Sequence, residues 1–501
     1  MMKFLKKNYY TITIISIFLF AFALRLYHID FLNLWRDEAF TVNAANKTLS
    51  ELLEIMIKDT QAPLHTIVLH YWVKIFGHSE FSVRFVSLLF GMMTVYYCFR
   101  ISKYIFQKKK YILISTLIAT VSPLLIVYSQ EARAYSMLTA FCCCAIFYSL
   151  KLNEHSSLSN YILFILFSVL GLYVHNIFIV VLVSILCLFV FLLAKKNKFN
   201  ILRILKDKFF HKIIVTFVII FVLFFPWLFI FLQQLNRVNI GGFWLKFDPL
   251  KDLINNTSWF FTSQSYSLDL PGMDPFFIFY INTFGLAVGF VGILNEIRNY
   301  KNAFPKISFF IILMLSIVFL ISFKIPFYYI RYLIFVVPLI FIILTKGITQ
   351  LPKIFGEKVT NALVIIFIFS CTTLYLTDIA QNPGLKANTK DAITSMVFDQ
   401  KTDLILHPHV ATFHSFYYYS DLQSYIYDPN RDLAYYEGLA IVTENDYYDS
   451  DITIFKRIWV FNLWKDDEFE KELINYGFYK SNTKWFPGNL TVDLWINSKT
   501  S

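Results

Sequence analysis

The residues that could do chemistry stand just beyond the ends of apolar runs. Asp37 and Glu38 lie in Leu34-Trp35-Arg36-Asp37-Glu38-Ala39-Phe40-Thr41, about ten residues past the first such run. A carboxylate there suits a general base that takes a proton from an acceptor hydroxyl; the competing expectation is a solvated acidic pair on a loop. Adjacent side chains do not face the same way, so only one acid is expected to point at a reacting centre. Positive charge recurs at comparable places. Arg133 lies in Tyr128-Ser-Gln-Glu131-Ala-Arg133-Ala-Tyr135, and Lys324 and Arg331 lie in Lys324-Ile-Pro-Phe-Tyr-Tyr-Ile-Arg331-Tyr332. Arg and Lys at an outer lipid boundary suit a phosphate partner, with snorkelling to lipid headgroups as the plainer alternative. His175, in Tyr173-Val-His175-Asn176, is a lone histidine at a helix end, a setting in which a structural hydrogen bond is the ordinary role.

The elements that must position these groups are membrane helices. The chain has 501 residues, 57% hydrophobic and only 16% charged, which excludes a water-soluble globule. Runs long enough to cross a bilayer fall at about 9–27, 81–99, 111–128, 135–150, 160–175, 177–194, 213–231, 275–294, 307–323, 330–345 and 361–377, eleven spans in all. The first contains Ala21-Phe22-Ala23, which resembles a cleavage site, but its length and the later spans favour an uncleaved anchor. The six Cys lie in apolar runs with neither zinc nor disulfide spacing.

Charge sets the expected topology. With the N-terminus inside, the six cytoplasmic segments (1–10, 100–110, 151–160, 195–212, 295–306 and 346–358) carry 22 Lys and Arg against four acids. The external loop 28–80 carries four bases and seven acids. This is the positive-inside asymmetry. It accounts for the net charge of +11 and excludes nucleic acid as the reason for it. An odd span count places residues 378–501 outside as a soluble α/β domain with 18 acids and 11 bases, while residues 1–377 form the membrane module. Helical stretches are expected at Asp391 to Phe398, Ala411 to Tyr419 and Asp466 to Asn475, and strands at Asp403 to His407, Ile458 to Asn462 and Thr491 to Ile496. In the external loop, Thr48-Leu-Ser-Glu51 is a capping box opening a short interfacial helix. A second helix runs from Leu64 to Phe76, with Pro63 in its first turn and Gly77 past its end.

The run from Leu24-Arg25-Leu26 through Trp35-Arg36-Asp37-Glu38-Ala39-Phe40-Thr41, Ala62-Pro63-Leu64-His65, Trp72, Phe76-Gly77-His78-Ser79-Glu80 and Arg84-Phe85 resembles the first external loop of the GT-C superfamily of membrane glycosyltransferases. The nearest branch is that of the protein O-mannosyltransferases and the aminoarabinose transferase of lipid A. Ser122-Pro123, Tyr128 to Tyr135, Arg331-Tyr332-Leu333 and Pro338 resemble later motifs of that branch. The resemblance covers the chain to about residue 345 by motif and continues only as architecture. It implies a polyprenyl-phosphate-linked sugar donor, inverting displacement at the anomeric carbon on the outer face, and a protein, lipid or cell-envelope glycan as acceptor. It assigns Asp37 as base, Glu38 as the neighbour orienting the loop, and Arg133 and Arg331 as the charges balancing the leaving phosphate. Lys324 and His65 are further phosphate candidates, and Glu131, Tyr128, His175 and Tyr332 complete the candidate site. Where that branch often has a basic residue and two prolines, this chain reads Gln61-Ala62-Pro63-Leu64; a lysine contact to the phosphate is missing, and His65 is the available substitute.

Sugar transfer through an oxocarbenium-like transition state calls for the same parts: a carboxylate near the anomeric centre and fixed cations at the leaving phosphate. A divalent metal could serve the phosphate too, although no Asp-x-Asp or His cluster marks one. The alternatives are a polyprenyl-linked glycan polymerase or ligase, expected to have its longest loop later in the chain, and a lipid or sugar flippase, expected to carry charges in mid-span. A non-catalytic receptor does not need eleven spans.

Overall fold

The computed structural model describes residues 2–241, 244–263, 275–299, 306–429 and 438–499. Residues 300–305 of the expected cytoplasmic segment 295–306 lie outside the described residues. The helices are α1 (Met2–Leu26), α2 (Arg36–Ala45), α3 (Leu49–Lys58), α4 (Leu64–Phe76), α5 (Glu80–Ile105), α6 (Lys109–Val121), α7 (Pro123–Ser129), α8 (Tyr135–Glu154), α9 (Leu158–Val174), α10 (Phe178–Lys196), α11 (Ile201–Leu205) and α12 (Lys208–Gly241). They continue as α13 (Pro249–Thr262), α14 (Pro275–Arg298), α15 (Lys306–Ser322), α16 (Ile330–Leu333), α17 (Val337–Ile348), α18 (Leu351–Thr373), α19 (Thr389–Thr394), α20 (Val410–Tyr419) and α21 (Asp467–Asn475). The strands are β1 (Asp403–His407), β2 (Tyr425–Ile426), β3 (Arg457–Asn462), β4 (Phe478–Phe486) and β5 (Leu490–Asn497). Two compact units result: one of residues 1–27, 61–65 and 84–380, the other of residues 28–60, 66–83 and 381–501.

The first unit is helical. By length and composition, eight of the described helices can cross a membrane, and nine if the bent pair α6 and α7 counts as one crossing; α9 and α15 are apolar but shorter. The chain is a multi-pass membrane protein; the eleven segments expected to span fall on helices, of which eight or nine meet that test among the described residues. The 54° break between α6 and α7 comes from Ser122-Pro123: a residue before proline is pushed out of the helical region, and Ser122 sits at ψ 116°. Its hydroxyl then caps the new helix by accepting from Leu125 N at 3.3 Å. Helices α14 and α17 meet through glycine. A Cβ at Gly292 would come within 2.1 Å of Ile343 O, and one at Gly347 within 1.9 Å of Val288 O, so only hydrogen permits that backbone approach.

The second unit joins residues 28–60 and 66–83 to the C-terminal residues in one body. Its sheet has the order β2-β1-β3-β5-β4, with β1 parallel to β2 and β3, and β5 antiparallel to β3 and β4. Alternating side chains serve two cores. Leu404 and Leu406 pack with Val460, Trp495 and the apolar face of α21, through Phe469 and Leu473. Ile405 points the other way, to Phe461, Val492 and Phe416 of α20. The strands and helices expected after residue 400 are present within a few residues, whereas the helix expected over Asp391 to Phe398 runs Thr389–Thr394. In the loop, the Thr48 capping box forms as expected, with Thr48 N donating to Glu51 Oε2 at 2.9 Å. Gly77 takes φ 77° just past α4.

Candidate active site

The acidic pair is not on a loop. Trp35 is extended (φ −82°, ψ 170°) and acts as N-cap, and Arg36, Asp37 and Glu38 form the first turn of α2, where carboxylates meet the positive end of the helix dipole. Successive helical residues point about 100° apart, and the two acids diverge accordingly. Glu38 turns inward and is fully buried against Lys386, with Oε2 accepting from Nζ at 2.7 Å. Asp37 keeps 16% of its side chain exposed and accepts from Arg36 Nε at 3.1 Å. Of the pair, only Asp37 keeps part of its side chain exposed.

In the same unit, Asn43 Nδ2 of α2 donates to His414 O at 3.1 Å, and the His414 ring meets Phe40 edge-on at 5.4 Å. Leu34 N donates to the Tyr419 hydroxyl at 2.7 Å. The residues that seat α2 therefore include a helix beginning more than 350 positions later in the chain.

The membrane unit gathers most of the expected cationic and aromatic residues. Tyr128 and Tyr135 bracket the tight turn after α7, their ring centroids 5.3 Å apart. Tyr135 lies 5.9 Å from His175 and 6.2 Å from Tyr332, and His175 lies 5.9 Å from Tyr332. Three interhelical joints thus converge on one cluster of rings. Arg133 and Glu131 are buried in the first of those joints. The Arg331 guanidinium lies over Trp244 at 5.2 Å and Tyr329 at 5.7 Å, a cation held by ring faces. The burial of Tyr329, foremost, raises its hydroxyl above the usual tyrosine value, with Arg331 pulling the other way.

His65 belongs to this unit and is 2% exposed. Burial, and then the charge of Arg133, pull its imidazole down to about 3, so at neutral pH it is uncharged; its Nε2 has no hydrogen-bond partner among the described residues. A neutral ring there can offer an N–H but not a charge. The segment carrying it is anchored by a relay in which Asn176 Nδ2 donates to Gln234 Oε1 at 3.1 Å and Gln234 Nε2 donates to Gln61 O at 3.1 Å. Lys324 does not join the cluster. It is exposed after α15, and no side-chain hydrogen bond or ion pair is seen for it among the described residues.

Sequence reasoning missed Trp244, Tyr329, Asn176, Gln234 and Lys386. A partial signal existed for α13, whose Asn256 Nδ2 holds Tyr328 O at 3.1 Å: Asp248-Pro249 is an N-cap followed by proline at the first helical position. No group of three or more His, Cys, Asp or Glu that could hold a metal occurs among the described residues.

The fold is similar to that of a solved membrane protein, ArnT. Over 98% of its length the chain matches 98% of ArnT from Cupriavidus metallidurans in the apo state, with a TM-score of 0.60 at 11% identity. The crystal structure of the same protein bound to undecaprenyl phosphate matches 97% of the chain and 98% of its own, with a TM-score of 0.57 at 11% identity. Residues 60–230 match the family model for dolichyl-phosphate-mannose-protein mannosyltransferase. No curated protein shows significant sequence similarity to the chain.

Proposed function

We propose that this protein transfers a sugar from a polyprenyl-phosphate carrier to a hydroxyl acceptor on the outer face of the membrane. The acceptor is a protein, lipid or cell-envelope glycan. The observation that carries the reading is the convergence of Arg133, Arg331, His65, His175 and three tyrosines at the joints of apolar helices, in a chain whose fold matches a protein crystallised with undecaprenyl phosphate.

Asp37 takes the proton from the acceptor hydroxyl as its oxygen bonds to the anomeric carbon. The bond from that carbon to the carrier phosphate breaks from the opposite face, inverting the centre. The departing phosphate gains a negative charge, which the fixed guanidinium groups of Arg133 and Arg331 meet without reorganising. His65 contributes a neutral N–H to the same phosphate. The aromatic rings around His175 offer flat apolar surface of the kind a sugar ring stacks on.

Purified protein supplied with polyprenyl-phosphate sugars, and with envelope fractions as acceptors, should transfer label to one acceptor class. Mass spectrometry of glycans and glycolipids from cells with and without the protein should identify the same product. Failure to bind any polyprenyl phosphate and to move any sugar would overturn the proposal.

A further inference from the structure

The Glu38 to Lys386 bond has a support of its own. Lys386 is only 12% exposed, and the bond joins residues 348 positions apart, one in the first turn of α2 and one in the segment leading into the C-terminal sheet. That segment is pressed against the tight turn between β4 and β5: Gly488 has φ 76°, and a Cβ there would come within 2.3 Å of Lys386 C and O. Asn388 N donates to Pro487 O at 3.0 Å in the same turn. A side chain at Gly488 is thus excluded twice, by the left-handed backbone and by the Lys386 main chain.

We propose that Lys386 is a positioning residue for Asp37: the β4–β5 turn fixes Lys386, Lys386 fixes Glu38, and Glu38 fixes the first turn of α2 on which Asp37 is carried. The C-terminal domain on this view builds the acidic half of the catalytic machinery, in addition to any part it takes in holding the acceptor. A second contact reinforces the seating, since Gly438 at φ 94° lets its loop close on His414 and Phe40, where a Cβ would lie 2.7 Å from His414 Nε2 and 3.3 Å from Phe40 Cδ2. The physical reason for using a buried ion pair is directional: a carboxylate out of water must hold its cation, and this leaves one allowed orientation of the turn.

The inference rests on the reading of Asp37 as base, and the test separates the two. In full-length protein, Lys386→Met should lower kcat by on the order of 100-fold, the scale of a misplaced catalytic group, while donor affinity stays unchanged; Lys386→Arg should restore most of the rate. Amide hydrogen exchange over residues 36–41 should quicken in Lys386→Met and in Gly488→Ala, and this readout is independent of activity. The double variant Glu38→Leu/Lys386→Met, which leaves no buried charge, should recover the thermal stability that Lys386→Met loses. Unchanged exchange in residues 36–41 would overturn the positioning role whatever the chemistry. Quickened exchange with a normal kcat would uphold the mechanical link and sink Asp37 as base. If Lys386→Met does not fold, Lys386→Arg and the double variant carry the comparison, and equal exchange in both relative to wild type would overturn the link.

Discussion

At the scale of single residues, the acidic pair separates into two jobs that identical side-chain chemistry would not suggest. Asp37→Asn preserves shape and hydrogen bonding but removes the base, so transfer should slow by on the order of 100-fold or more with little change in thermal stability. Purified variants assayed with a polyprenyl-phosphate sugar provide the check, and near-normal turnover by Asp37→Asn would remove the base assignment. Glu38→Gln should act differently. It strands the buried Lys386 ammonium, so it should cost stability first while the pH profile of the residual turnover keeps its wild-type form. Arg133→Gln and Arg331→Gln should weaken donor binding with little effect on the acceptor, because each removes a charge while keeping most of the length. Titration with polyprenyl phosphate measures this directly, and unaltered affinity would leave both arginines as headgroup contacts.

At the scale of elements, the second unit contains two histidines whose state ties folding to pH. Burial pulls His407 down to about 3 and His414 to about 4, whereas unfolded histidine titrates near 6.5. Between those values the unfolded chain binds protons that the folded unit refuses, so stability is complete above about pH 6.5 and is lost as pH falls through the window toward about 4. Local opening of residues 403–416, followed by amide exchange, should therefore increase on going from pH 7 to pH 5, after correction for intrinsic exchange rates. His414→Gln should flatten that dependence if it folds normally; an equally steep dependence in the variant would assign the effect to other groups. The elements also differ in how much of themselves they announce. Helix α3 is legible from Thr48, Glu51 and its apolar spacing, whereas α2 hides because its core side, from Glu38 to Ala45, is buried almost throughout and so lacks an amphipathic period. Strand β4 hides for the opposite reason: it is an edge strand with exposed residues along most of its length.

At the scale of the whole molecule, the charge bias predicts that Lys108 to Lys110 and Lys195 to Lys198 are cytoplasmic and that residues 378–501 are outside. Single introduced cysteines, in a background lacking the native ones, should react with an impermeant reagent in intact cells when placed in the C-terminal sheet and should not when placed beside Lys196. Labelling at Lys196 would invert the topology and with it the outer-face chemistry. That the two units share the chain by interleaving, with residues 61–65 in the membrane unit and 28–60 and 66–83 in the other, bears on any truncation. Removing residues 378–501 takes away Lys386, His414 and Tyr419 together, and transfer should be lost even where the membrane helices insert normally.

What the sequence determined by itself is what local chemistry can specify. Apolar length marks the segments long and apolar enough for a bilayer, and Thr48 with Glu51, Ser122 with Pro123 and Gly77 decide where individual helices begin, bend and stop. The arginines and Asp37 stood out as candidates because charge next to an apolar run is costly unless it has a use. Only the tertiary structure decided that Glu38 turns to Lys386 while Asp37, paired with Arg36, keeps part of its side chain exposed. It alone brought Trp244 to Arg331, and burial and the nearby charge of Arg133 pull the His65 imidazole down. Each of these depends on residues tens to hundreds of positions apart, and an electrostatic or packing partner at that separation leaves no periodic mark on the chain that must meet it.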